Sequence, residues 1–397
     1  MASQLVGTER REFWVLSLAL FLVFCGFSTF FQFPLFIKAL GGSEREIGLI
    51  MGLSVGVSTL LLPWVASLVD QLNRKRLMLG GGALLAVSSG ACLFLRAPDL
   101  WMGALMTLRG LGFSVFLVAN GAYVASILPP GERSRWFSIY FAFWSLSSAV
   151  GPGIGEVAIL RWGFTAFFLI TLAILMGGLA LTLFISSRPP PAPAPLGNPA
   201  TAVLRFFVEL LRPRFRYLFL ALLAMSGAFS TVLTFTATFL RGLSLSSGLF
   251  FAAYALVSVG SRILAGGLSD RFGRAVVVVP TLLVLVAGLA LYSVTGGLVT
   301  MVASGAIIGL GWGLCNPTVS AQMLDRAPPQ LQGIAVGGYQ FAFQLGMLLC
   351  TPVFGLIAES RGYPLMWRLS AGLMVAATLI YLIEAFRGRS GGFSGAR

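Results

Sequence analysis

The chain has 397 residues, 57% of them hydrophobic and only 10% charged, with a mean hydropathy of +0.91. Soluble proteins carry about 25% charged residues, so a water-soluble globule is excluded. The net charge of +14 first suggests a nucleic-acid partner. Its placement, traced below, makes it a membrane-topology signal instead.

Apolar runs of about 20 residues, long enough to cross a bilayer as helices, recur from end to end. A β-barrel would show segments of about 10 alternating residues instead. The expected spans are 13–37, 46–69, 77–95, 100–128, 136–160, 163–186, 215–240, 247–268, 275–296, 299–325, 332–358 and 364–386. The first is too long for a signal-peptide core and is expected to stay in place as a helix. It carries Gln32 beside Phe33-Pro34. Span four carries Arg109, then Asn120 and Tyr123 along the same face. Span five holds Ser148-Ala-Val-Gly-Pro-Gly-Ile-Gly155, in which Pro152 removes a backbone donor and bends the helix. Ser148, Gly151 and Gly155 form a small-residue stripe suited to close helix packing. Glu156 follows, the one acid placed clearly inside a span. A charge at mid-membrane costs roughly 2.5 kcal/mol or more, so it is expected to face a cavity or a partner.

The sequence SSRPPPAPAPLGNP over 186–199 resists helix and reads as an extended linker. Residues 205–212 after it read either as a short helix along the membrane surface or as the start of span seven. The organisation is therefore a first six-helix bundle over 1–186, a linker over 187–213 and a second bundle over 214–397. Span ten offers Trp312 and Asn316, and span eleven offers Tyr339, Gln340, Phe343, Gln344 and Met347 at helical spacing. These and Gln32, Asn120 and Tyr123 are the expected lining of a cavity, the amides first because they sit poorly against lipid.

The two halves repeat one plan at a spacing of 200: Asp70 and Arg74 match Asp270 and Arg274, Pro152 and Gly155 match Pro352 and Gly355, and Arg161 matches Arg361. Pro129-Pro130 and Tyr140 match Pro328-Pro329 and Tyr339 one residue closer. Glu156, Arg109 and Arg262 instead meet Leu356, Gly309 and Leu62. Basic residues crowd the side that holds both termini: Arg10, Arg11, Arg74, Lys75, Arg76, Arg133, Arg135, Arg188, Arg205, Arg212, Arg214, Arg216, Arg271, Arg274, Arg326, Arg387, Arg389 and Arg397. The other side carries Lys38, Arg45, Arg96, Arg161, Arg241, Arg361 and Arg368. The positive-inside rule then puts both termini in the cytoplasm, here of a bacterial cytoplasmic membrane.

Gly266-Gly-Leu-Ser-Asp-Arg-Phe-Gly-Arg274 resembles the loop signature G-x-x-x-D-R-x-G-R of the major facilitator superfamily. The first copy, Ala66 to Arg76, departs from it at Ala66, Gln71 and Asn73. The Gly-Pro segment of span five and Leu108-Arg-Gly-Leu-Gly112 are similar to motifs of the twelve-helix drug–proton antiporters in that superfamily. The resemblance implies an all-α membrane protein of twelve transmembrane helices in two pseudo-symmetric six-helix bundles, working by alternating access, usually as a monomer. It implies a conformational latch at Asp70, Arg74, Arg262, Asp270, Arg271, Gly273 and Arg274, and a helix bend at Gly151, Pro152 and Gly155.

Histidine is absent and Cys25, Cys92, Cys315 and Cys350 all fall within spans without metal-ligand spacing, so no metal, cofactor or enzyme chemistry is expected. No phosphate-binding loop occurs, which leaves an ion or substrate gradient as the energy source. The expected activity is proton-coupled export of a small amphipathic organic molecule, with Glu156 and Arg109 as the proton-coupling pair. Uptake or facilitated passage of an organic anion, with Arg109 or Arg262 as counter-charge, is the alternative. Lipid translocation and a non-transporting scaffold or sensor are the others. The partners are a small-molecule substrate, protons and membrane lipid.

Overall fold

A computed structural model describes residues 7–128, 133–187, 206–265, 268–327 and 331–390, helical almost throughout and without a strand among them. The helices are α1 Gly7–Ser28, α2 Phe33–Ala39, α3 Glu44–Gln71, α4 Arg74–Ala91, α5 Leu100–Ile127 and α6 Arg133–Leu183 in the first half. A short helix at 206–211 is α7. The second half has α8 Arg216–Gly242, α9 Ser247–Ala265, α10 Leu268–Phe272, α11 Arg274–Tyr292, α12 Leu298–Asp325, α13 Gln332–Arg361 and α14 Tyr363–Ser390. Among the described residues, 10 helical stretches are long and apolar enough to cross a membrane. One of these, Ile139–Leu183, contains a break at Gly163, and the 28-residue α3 stands outside the set.

Two glycines set the return turns. Gly163 (φ 79, ψ −177) folds α6 into an outgoing and a returning arm, and Gly362 (φ 82, ψ 165) separates α13 from α14 in the same way. That backbone region is open in practice to glycine alone. In the first half α1 packs on α6, α4 on α5 and α3 on α5; in the second α8 packs on α13 and α14, and α12 on α11 and α9. The halves meet along two lines, α3 against α13 and α6 against α9.

The repeated Pro-Gly residues are used differently in the two halves. Gly151 and Gly155 lie against α1 and the turn after it, at Ser28 and Thr29, within the first bundle. Pro352 and Gly355 instead lie across the seam, against Gly52 and Gly48 of α3. The small-residue stripe at Gly151 therefore packs its own bundle, while its counterpart lets the two bundles touch.

Helix starts differ between the repeats as well. Asn73 caps α4 by accepting from Lys75 N (3.0 Å) and Arg76 N (3.3 Å). Gly273 opens α11 at φ 91 with no side-chain cap. Asn73 thus departs from the motif glycine and still starts the helix. Lys75 Nζ donates to the carbonyls of Leu183 and Ile185 (both 2.8 Å), placing a cation at the C-terminal end of α6. Asn73→Ala should cost about 1 kcal/mol, and Asn73→Gly only a few tenths. Thermal unfolding of the detergent-purified variants checks this order.

Helix α7 is separate from span seven. Arg212 closes a turn with Phe215 and Arg216 before α8 begins, and Phe206 and Phe207 pack edge-on to Phe341 of α13. Phe207, Val208 and Leu211 stay exposed, and the helix over 206–211 does not run on into α8. The linker over 188–205, Pro129-Pro130, Pro328-Pro329 and the side chains of Asp70 and Asp270 lie outside the described residues.

Candidate functional site

The predicted residues of the second half come together. Trp312 stacks face to face on Phe229 of α8, at 3.7 Å and 6°. Phe343 tilts against Trp312 at 5.8 Å, and the Tyr339 hydroxyl donates to Asn316 Oδ1 at 2.6 Å. Tyr254 of α9 adds a further ring against Phe229 at 6.0 Å. Arg262 enters this aromatic group from the seam. Its Nε donates to the Gly313 carbonyl (3.1 Å) and its Nη1 to Ser145 Oγ on α6 (2.7 Å), so one guanidinium ties the two halves. Tyr254 and Tyr339 both lie within reach of its charge. Gln340 is half-buried beside them and makes no hydrogen bond among the described residues; Gln344 is half-buried one turn on. Phe229 and Tyr254 were not singled out by sequence. Phe229 sits in an unmarked apolar run, but Tyr254 precedes Arg262 by eight residues and so shares its helix face.

Of the predicted residues of the first half, Asn120 and Tyr123 are committed to the bundle interior, and Gln32 also reaches across the seam to α9. Gln32 donates to the Pro152 carbonyl (3.1 Å) and to Ser247 Oγ (2.8 Å). Asn120 accepts from the Tyr140 hydroxyl at 2.9 Å, and the Tyr123 hydroxyl donates to the Ser186 carbonyl at 2.9 Å. All three are buried, with relative exposures of 0%, 0% and 1%. In a lipid-embedded bundle a polar side chain is held by the nearest carbonyl or hydroxyl, and these three act as cross-links between helices.

Arg109 is buried too. Its Nη2 donates to the Phe27 carbonyl at 2.6 Å, and the guanidinium lies 4.4 Å and 3.7 Å from the Phe27 and Phe30 ring centres. Its Nε is buried without a hydrogen-bond partner among the described residues. The expected Arg109–Glu156 pair does not form. Glu156 Oε1 accepts from Ser247 N (3.0 Å), and Oε2 accepts from Gly248 N (2.6 Å) and the Ser246 hydroxyl (2.7 Å). The first backbone N–H groups of a helix have no partner within it and carry the positive end of its dipole. The start of α9 therefore competes better for this carboxylate than a guanidinium already held by aromatic rings and a carbonyl.

Of the expected latch residues, Arg262 lies in the seam, while Arg74, Arg271, Gly273 and Arg274 lie at the face where α1 begins and α14 ends. Arg274 donates to Asp325 Oδ2 at 2.9 Å and to Ser269 Oγ at 2.8 Å, and Arg271 is exposed. Nearby, Arg326 pairs with the buried Glu384, and the Tyr381 hydroxyl donates to Gln322 at 2.5 Å. These contacts stay within the second bundle. The hydrogen bonds seen between the bundles, Gln32–Ser247, Arg45–Glu359, the Glu156 set and Arg262–Ser145, lie at Arg262–Ser145 or nearer the far face, the face away from the start of α1 and the end of α14.

Two helical halves that meet at a polar and aromatic seam, with helices long and apolar enough to cross a membrane, define the class of multi-pass membrane transporters. The chain belongs to the Major Facilitator Superfamily, whose sequence profile matches residues 16–351. It is 24% identical over 355 residues to the MFS-type transporter STM4428 of Salmonella typhimurium, covering 84% of this chain and 87% of that protein. Its fold is similar to the nucleoside transporter NupG, with a TM-score of 0.79, 15% identity and coverage of 94% of this chain and 98% of that one. A bacterial homologue of the human lysosomal transporter Spinster, in an inward-facing and unoccupied conformation, gives a TM-score of 0.81 at 14% identity, covering 98% of this chain and 99% of that one.

Proposed function

We propose that this transporter has twelve membrane crossings and moves a small amphipathic organic anion by alternating access between its two bundles. One observation carries the proposal: Arg109 and Arg262 sit inside the bundles beside aromatic rings, and neither meets a carboxylate among the described residues. An unneutralised guanidinium is costly at membrane depth, so an anion that completes it is favoured there. The rings around Arg262 suit the apolar body of such a cargo. The Asn316 and Gln340 amides supply orientation.

A second reading, proton-coupled export, rests on Glu156. Only the ionised carboxylate accepts fully from the three donors on residues 246–248, so a proton bound there weakens a contact between the bundles. Proton binding and the shape of the seam are thereby linked.

A thermal-stabilisation screen of the purified protein tests the cargo class. Aromatic and alkyl organic anions should raise the melting temperature by mass action, by about 2.7 kcal/mol of stability at 100 times Kd. Uncharged and cationic analogues of the same shape should not. Equal stabilisation by the uncharged analogues would overturn the assignment.

A further inference from the structure

Glu156 has no counterpart 200 residues on, where Leu356 stands, yet the far face holds a second carboxylate in the same role. Glu359 on α13 accepts from Arg45 N of α3 at 2.8 Å, with the Ser43 hydroxyl as a further donor. Glu156 on α6 accepts from Gly248 N of α9 and from the Ser246 hydroxyl. The remaining cap bonds match as well. Ser43 Oγ accepts from Glu46 N at 3.2 Å, and Ser246 Oγ accepts from Leu249 N at 3.1 Å. Every pair in this set, Ser43 with Ser246, Arg45 with Gly248, and Glu156 with Glu359, stands 203 residues apart. The internal repeat is therefore present at Glu156; at these two caps its spacing is three residues, about one helical turn, longer than at the latch loops or at Arg161 and Arg361.

We propose that Glu156 and Glu359 are a pseudo-symmetric pair of positioning residues that hold the far face closed, each capping the first turn of a helix in the opposite bundle. In each cap the serine of the helix itself serves the third N–H, and the carboxylate from across the seam serves the second. Here the acceptor is a carboxylate against the positive end of a helix, which makes these bonds stronger than neutral ones. They exist only while the bundles touch. Gly248 is within reach because its neighbour across the seam is also glycine: a Cβ on Gly248 would lie 3.1 Å from the Gly153 Cα. The two caps are unequal. Glu156 is half-buried and takes two N–H groups, whereas Glu359 is exposed and takes one, so salt screens Glu359 more.

The test is a distance measurement that needs no cargo, so failure of the cargo screen leaves it intact and the reverse also holds. Spin labels at Arg161 and Arg241, both exposed at the far ends of their helices, report the separation of the bundles across the seam. Glu156→Gln should raise the ratio of long-distance to short-distance populations by about 5-fold, the change expected on replacing a charge-assisted hydrogen bond by a neutral one. Glu359→Gln should do less, and its effect should fade in ~1 M salt. The double variant should exceed either one. Glu46→Gln, which alters only the bond that Glu46 Oε2 accepts from Ser43 N (2.7 Å) at the start of α3, should leave the ratio unchanged. An unchanged distribution in the double variant would overturn the proposal, as would an equal shift in Glu46→Gln.

Discussion

Gly355→Val should leave the far face unable to close. A Cβ at Gly355 would stand 2.6 Å from the Glu44 carbonyl and 2.9 Å from the Gly48 Cα, both backbone atoms of α3 that no rotamer change can move. Overpacking of this kind costs about 1–3 kcal/mol even where neighbours can adjust. Here the cost falls on the state in which α3 and α13 touch, because the three atoms nearest that position all belong to α3. The ratio of closed to open should fall by about 10- to 100-fold, with the fold of each bundle preserved. Distance distributions across the far face report the shift, and an unaltered melting temperature separates it from misfolding. Gly151→Val is the contrast. Its Cβ would meet Ser28 and the Cys25 carbonyl within the first bundle, so folded yield should fall while the seam of the surviving protein stays as it was.

Arg262→Ala should remove both the counter-charge and a tie between the bundles. The guanidinium bonds the Gly313 carbonyl and Ser145 Oγ, leaving the remainder of its fork within reach of Tyr254 and Tyr339. Truncating one partner of a buried, hydrogen-bonded charge pair costs about 2 kcal/mol or more, so the affinity for an anionic cargo should drop at least ~30-fold. Arg262→Lys keeps the charge and loses the planar fork, and should fall between the two. Ser145→Ala removes only the cross-bundle bond and should leave cargo affinity near that of the parent. Titration calorimetry with an anion from the stabilisation screen measures all three. If Ser145→Ala costs as much as Arg262→Ala, the arginine serves the seam and not the cargo.

Composition and hydropathy carried the fold class, because a chain that buries its backbone polar groups in lipid has helices as its main option. The loop signature at Asp270–Arg274 carried the family. The seam geometry was harder to read. Pro152 and Pro352 occupy matching positions, but no local feature tells that Gly155 faces α1 and Gly355 faces α3. That difference comes from how the bundles dock. The aromatic and amide residues on α12 and α13 were legible because polar groups at helical spacing stand out in an apolar run. Gln32, Asn120 and Tyr123 share the same pattern and serve as cross-links, so the pattern marks a buried polar face without saying what fills it. Glu156 stood out by its cost in lipid. Its partner did not, since a backbone N–H has no signature in sequence. The matching cap at Glu359 was hidden by the change of repeat spacing from 200 to 203.

The central claim is transport of an organic anion through this seam, and flux into proteoliposomes tests it most directly. A labelled aromatic anion that stabilises the purified protein should enter with saturable kinetics, and Arg262→Ala should abolish that flux while the protein remains folded. Recording luminal pH at the same time gives the sign of any proton movement. No flux of any stabilising anion through folded, reconstituted protein would contradict the claim and favour a scaffold or sensor built on the transporter fold.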